Sequence, residues 1–305
     1  MASDPASAAE PARATIDDTQ RAGGHALPGA GRPLRRRLIY RHSVVVRFTH
    51  WINVICLTIL LMSGLQIFNA HPALYWGNLS NFSHPILAMS AVQPKDGSER
   101  GVTSVLGHRF DTTGVLGLSE DATGHPWERG FPAWATLPGQ QSLAEGRLWH
   151  FFFAWLFVAN GAIYLLAGLL GGHVWRDLLP TGHQLRQIGR TTWDHLLFRF
   201  PKGEEARHYN VLQKLAYLVV VFGFLPFMVL TGLTMSPRMD AAFPQLVVFF
   251  GGRQSARTIH FILAWSLFAF VLIHVFMVLV SGVWNNLRSM LTGRYAIEEA
   301  GDAAE

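Results

Sequence analysis

Four stretches of this chain, at about 47–68, 147–170, 212–234 and 259–282, are apolar over roughly 20 residues, the length a helix needs to cross the hydrocarbon of a bilayer. Every backbone N–H and C=O in that solvent must be satisfied within its own segment, so helices are the natural spanning elements. Composition agrees, since half of the 305 residues are hydrophobic and only 15% are charged, too apolar a balance for an ordinary soluble domain. The expected fold is all-α, an integral membrane four-helix bundle.

Residues 1–34 are rich in Ala, Pro, Gly and Asp and contain no apolar core, which predicts a disordered tail rather than a signal peptide. A transmembrane domain over 35–295 and a C-terminal tail over 296–305 complete the expected layout. The face that includes Arg32 to Arg47, the connection between the second and third spans, and Arg288 and Arg294 holds 15 basic residues; the opposite face holds 8. Basic residues gather on the cytoplasmic side, so both termini are expected there. The connection 69–146 is long and carries the aromatic pieces "ALYWGNLSNF" and "GFPAWATLPG". These fit either an ordered surface that receives a partner or an aromatic belt at the lipid interface. The stretch "GHQLRQIGRTTWDHLLFRF" reads as an amphipathic helix on the cytoplasmic surface. One cysteine, Cys56, rules out an internal disulfide or a thiolate cluster. There is no Walker loop or dinucleotide fingerprint, and no nucleic-acid partner is expected.

Fourteen histidines remain to be explained. His25, His71, His84, His108, His125, His173, His183, His195 and His208 lie in the tail or connections, where solvated surface roles are expected, and His42 sits among arginines. Four others, His50, His150, His260 and His274, lie in the spans. There an ionisable group is costly and normally faces the bundle interior with a partner. His260 and His274 are 14 positions apart, about 1400° of helix, so both project from one face roughly 21 Å apart. By the direction of each span, His150 shares the level of His260, and His50 shares that of His274. Two facing imidazoles per level can hold an iron porphyrin whose flat apolar body fills the core between helices.

Arg47, Arg147 and Arg257 each stand three residues before one of these histidines, in "RFTH", "RLWH" and "RTIH". Such an arginine can pair with a haem propionate or anchor the end of a membrane helix; three recurrences favour propionates. Gly64, Gly161 and Gly232 can admit a macrocycle or simply let helices pack closely.

The pieces "RFTHW", "GRLWHFFFAWLFVANGAIYL" and "HYNVLQKLAYLVVVFGFLPFMVLTGLTMSP", with the two-histidine fourth span, resemble the bacterial di-haem cytochrome b family. That family includes the membrane subunits of Ni-Fe hydrogenases, formate dehydrogenases and thiosulfate-reductase-type enzymes. The resemblance covers about residues 40–295, and "ALYWG" and "WHFFFAW" look most like the thiosulfate-reductase-type branch. It implies two b-type haems between the helices, with His50, His150, His260 and His274 as iron ligands. It also implies a multi-pass protein of the bacterial inner membrane, passing electrons between a quinone and an extracytoplasmic redox subunit. That partner would be a molybdoenzyme, or alternatively a hydrogenase or formate dehydrogenase. With both axial positions filled by histidine, iron offers one-electron transfer rather than substrate chemistry. Tyr209, Asn210 and Lys214, or His173 and Arg176, are candidates for the quinone site. Two rival readings are a transporter or proton channel with a histidine relay and a structural anchor for a peripheral enzyme.

Overall fold

The structure, a computed structural model, describes residues 34–300 apart from 96, 122, 173–178, 187, 190, 191 and 194–210. After a strand β1 (Leu34–Tyr40), the first span is α1 (Val44–Phe68). The connection that follows folds as β2 (Ala73–Leu74), β3 (Leu87–Val92), β4 (Arg100–Val105), β5 (His108–Asp111), β6 (Gly117–Glu120) and β7 (Pro126–Arg129). The second span is α2 (Leu143–Leu170) and a short α3 (Gly182–Arg186) comes next. The third span, α4 (Val211–Thr234), leads to two short helices, α5 (Pro237–Ala242) and α6 (Pro244–Phe249). The fourth span is α7 (Arg253–Val280), and α8 (Val283–Thr292) and β8 (Arg294–Ala300) close the described chain.

Local chemistry sets the ends of the spans. Ser43 caps α1 by accepting from the Val46 N–H at 3.3 Å, and Ser142 caps α2 by accepting from Glu145 N–H at 3.4 Å. Pro226 has no N–H for the Phe222 carbonyl. The six residues Val219–Phe224 accordingly widen into a π-helical turn inside α4. Little of the spans' apolar surface is buried within the protein, and each is long and apolar enough to cross a bilayer. The chain is a multi-pass membrane protein. Its spans pack as two partnerships, α1 on α2 and α4 on α7.

Strands correct the all-α expectation. The connection 69–146 satisfies its backbone by hairpins: one antiparallel sheet runs in the order β2-β3-β4-β5, and β6 pairs with β7. The β4–β5 turn is the two residues Leu106 and Gly107, with φ 49° and 86°, the left-handed geometry that matches strand twist in a tight hairpin. Leu65 and Phe68 of α1, Leu74, Met89 and Phe131 form a buried cluster joining this sheet to the bundle.

The loop is also stitched to the start of α7. Gly252 offers no side chain to cap that helix; the Gly77 carbonyl accepts from the Gln254 and Ser255 N–H groups instead, at 3.0 and 3.1 Å. The Ser255 hydroxyl accepts from Gly77 N–H at 2.8 Å, and the buried Thr258 hydroxyl donates to the Tyr75 carbonyl at 2.6 Å. A Cβ at Gly252 would lie 2.4 Å from the Gly77 backbone, so only glycine permits this approach.

At the opposite end of the bundle the chain's two ends meet. β1 pairs antiparallel with β8, from Leu34 with Ala300 to Tyr40 with Arg294. Leu34 and residues 296–300, which the sequence assigns to the tails, thus belong to a strand pair. Residues 1–33 and 301–305 lie outside the described residues, as does most of the expected amphipathic helix beyond Arg186. We call the two ends of the bundle the sheet end and the terminal end.

Two outcomes follow for the sheet end. Arg129 is buried and donates to the carbonyls of Phe131 (2.6 Å) and Gly139 (3.1 Å) and to the Thr136 hydroxyl (2.9 Å). Arg129→Met should strand these acceptors at a local cost of about 3 kcal/mol, read as faster protease cleavage within residues 69–146 of detergent-purified protein. Asp121 accepts from the Thr123 hydroxyl and from the N–H groups of Thr123 and His125, which pull its carboxyl down to about 2. The turn's contribution is therefore complete above the ordinary carboxyl value and lost as pH falls through about 2. A carboxyl NMR titration should place the Asp121 midpoint there, well below that of an unpaired aspartate.

Candidate functional site

Helix α7 carries His260 near the sheet end and His274 near the terminal end. The ring of His260 faces His150 of α2 at a centroid distance of 6.3 Å and an interplanar angle of 61°. The ring of His274 faces His50 of α1 at 6.3 Å and 63°. The histidines that span direction puts at one level are therefore the ones whose rings face each other. Each pair also bridges the two helix partnerships, because α1 and α2 supply one ring apiece and α7 supplies both opposing rings.

The sheet-end rings sit in matching cradles. On α1, the Ser63 hydroxyl lies 3.1 Å from His150 Nδ1; on α4, the Thr231 hydroxyl lies 3.0 Å from His260 Nδ1. Each hydroxyl is followed by a glycine, and a Cβ at Gly64 or Gly232 would stand 3.4 Å from the Cε1 of its histidine. Serine-glycine on α1 and threonine-glycine on α4 thus bring the backbone of a neighbouring helix close to each ring.

At the terminal end the supports are different. Arg47 and Trp51, on either side of His50, donate to the Leu291 carbonyl at 2.5 Å and the Met290 carbonyl at 3.2 Å. Those carbonyls end α8, so the start of α1 is pinned there. From α2, the buried Asn160 amide donates to the Thr49 carbonyl (2.8 Å) and to Asn53 Oδ1 (2.7 Å), holding the turn that carries His50. Phe270 stacks beside His274 at 6.0 Å and 22°.

The spacing of the rings discriminates between chemistries. An imidazole built of bonds of about 1.35 Å has its nitrogens about 1.1 Å from its centre. Two rings joined through one metal, with metal–nitrogen bonds of about 2 Å, have centres about 6.3 Å apart. Two rings in a direct hydrogen bond of about 2.9 Å would approach to about 5 Å. Rings that share an axis can be twisted about it, so the interplanar angles are also compatible. Among the described residues no group of three or more His, Cys, Asp or Glu stands together. A bare ion wants about four protein ligands, whereas two imidazoles suffice for an iron already held by a porphyrin. The residues present fit haem.

The three arginines of the R-x-x-H pattern are found engaged with protein groups. Arg47 is spent in part on α8, Arg257 donates to the His71 carbonyl at 2.6 Å and lies 5.5 Å over the Phe68 ring, and Arg147 lies 5.5 Å over Phe151. Arg47 and Arg257 tie the starts of their helices to neighbouring segments, and each of the three guanidinium groups has donors beyond these contacts. Apart from the backbone of its own helix, no atom of the described residues lies within 4 Å of a Cβ placed at Gly161. Lys214 is buried and donates to the Leu179 carbonyl at 3.3 Å; Tyr209, Asn210, His173 and Arg176 lie outside the described residues. His71 is not the solvated surface histidine expected. Half-buried, it stacks on Tyr75, its Nε2 lies 3.1 Å from the Tyr75 hydroxyl, and burial with the nearby Arg257 holds it below its ordinary value. The sequence gives no direct sign of Asn160 or of the hydroxyls of Ser63 and Thr231; the repeated hydroxyl-glycine step in two spans is the only hint.

The model of the prokaryotic cytochrome b561 family matches residues 41–293, which include all four spans. The chain belongs to that family. A cytochrome b561 is a membrane protein of b-type haem, and its work is electron transfer across the bilayer. A protein of Azospira oryzae that carries the name of a protein-methionine-sulfoxide reductase subunit, YedZ1, is 29% identical over 252 residues, covering 83% of this cytochrome and 96% of that protein. No solved structure matches.

Proposed function

We propose that this cytochrome holds two b-type haems, one between His150 and His260 and one between His50 and His274, and conducts electrons across the bacterial inner membrane. The reading is supported above all by the two ring pairs at 6.3 Å, a separation wider than a direct hydrogen bond and matched to axial ligation of one iron. Each bound haem would supply a six-coordinate iron that exchanges one electron and offers no open position. His50, His150, His260 and His274 would hold the haems, hydrocarbon side chains would exclude water, and α7 would keep the two pairs about 21 Å apart. Arg47, Arg147 and Arg257, at the ends of the spans, are placed to offer their remaining donors to propionates.

The basic bias of the terminal end supports its placement in the cytoplasm, with the sheet end outside. On that side the folded connection 69–146 offers a surface for a redox partner. A second oxidoreductase subunit fits there, and the name of the Azospira relative favours a reductase supplied with electrons from a membrane quinol. A molybdoenzyme, the thiosulfate-reductase-type partner, is the class we favour, with hydrogenase or formate dehydrogenase subunits as alternatives. The histidine relay of a transporter is disfavoured, because the rings stand too far apart for direct proton exchange.

Purified protein should give a reduced-minus-oxidised b-type spectrum and two haems per chain. His150→Ala and His260→Ala should each lose the same haem, and His50→Ala and His274→Ala the other. Full haem retention in the double variant His260→Ala and His274→Ala would overturn the assignment. A quinol analogue mixed with oxidised protein should reduce both haems within turnover times; haem-loaded protein that stays oxidised would remove the quinone and leave an anchoring role.

A further inference from the structure

We propose that Ser63 and Thr231 are positioning residues that hold the sheet-end haem at a lower reduction potential than the terminal-end haem. The proposal rests on the two-haem reading above and concerns the hydroxyls alone. Each hydroxyl has a single proton. Ser63 donates it to the Ile59 carbonyl at 2.6 Å, and Thr231 donates to the Phe227 carbonyl at 2.7 Å. Toward the histidine each oxygen can therefore only accept. Both rings must then carry their proton on Nδ1, which leaves Nε2 as the unprotonated nitrogen free to bind a metal.

Two consequences follow. The tautomer required for axial ligation is set before any cofactor arrives. Once ligated, a ring whose Nδ1–H leans on an oxygen becomes a stronger donor through Nε2, which favours the oxidised iron and lowers its potential. Both ligands at the sheet end share this arrangement. Among the described residues no hydrogen bond reaches the ring of His50 or His274, whose neighbours are the rings of Trp51 and Phe270. One protein therefore gives its two bis-histidine sites unequal electron affinities by means of two hydroxyls.

The experiment is a potentiometric titration of the purified, haem-loaded protein, with the low-spin ferric EPR signals recorded alongside. In Ser63→Ala, Thr231→Val and the double variant, the lower of the two midpoints should rise, additively, while the higher one stays in place. Only one EPR signal should move. Ser63→Thr and Thr231→Ser, which keep the hydroxyl, should restore wild-type values. Unmoved midpoints with both haems retained would overturn the proposal, as would a shift in the higher midpoint. If the Ala and Val variants lose the sheet-end haem, retention of that haem in the hydroxyl-keeping pair supports the proposal and equal loss in both sets overturns it. Wild-type protein without haem would instead sink the underlying reading.

Discussion

A bilayer gives an imidazole no water to fall back on, so a ring inside a spanning helix must find its partner within the protein or give up several kcal/mol. Four rings in this bundle face one another pairwise at 6.3 Å across the gap between the α1–α2 and α4–α7 partnerships, too far for a direct hydrogen bond, and the rest of the architecture is arranged around that spacing. In lipid there is no hydrophobic drive to set the distance between two helix pairs, so it is fixed by packing and hydrogen bonds. Glycines beside the sheet-end rings, a buried asparagine behind His50 and hydroxyls behind His150 and His260 all act to keep rings at a set spacing.

The sheet end shows how a connection can serve a bundle. Its sheet forms no part of the ring sites, yet the run from His71 to Gly77 satisfies the first donors of α7 and binds Arg257 and Thr258. The helix that supplies a ring to each pair is thereby fixed in height and rotation by its first two turns. Side chains one turn before His260 are thus employed in positioning, and Arg257 does this with only part of its donor set.

Much of this was readable in the chain. Apolar length located the spans, and fourteen-residue spacing with alternating span direction specified which histidines could meet. Strands in 69–146 are hard to read because "ALYWG" and "GFPAW" look like surface aromatics, and the short segments "LAMSAV" and "RGVTSV", which form β3 and β4, give a weak signal in a chain dominated by hydropathy. Ser63 and Thr231 are hidden for a deeper reason. A hydroxyl in an apolar helix ordinarily bonds to the carbonyl one turn back, as both do, and its second contact lies on another helix 87 or 29 residues away. The R-x-x-H pattern was legible but ambiguous, since a guanidinium with five donors serves a carbonyl and an anion equally well.

The placement of both opposing rings on α7 bears on how the protein is made. Three spans synthesised and inserted in order hold His50 and His150, which belong to different levels and have nothing to face. Neither pair exists until the fourth span enters the membrane, and then both come into being together. The strand β8, which clasps β1, emerges later still. A nascent chain therefore has neither ring pair until α7 is in place, and then gains both at once.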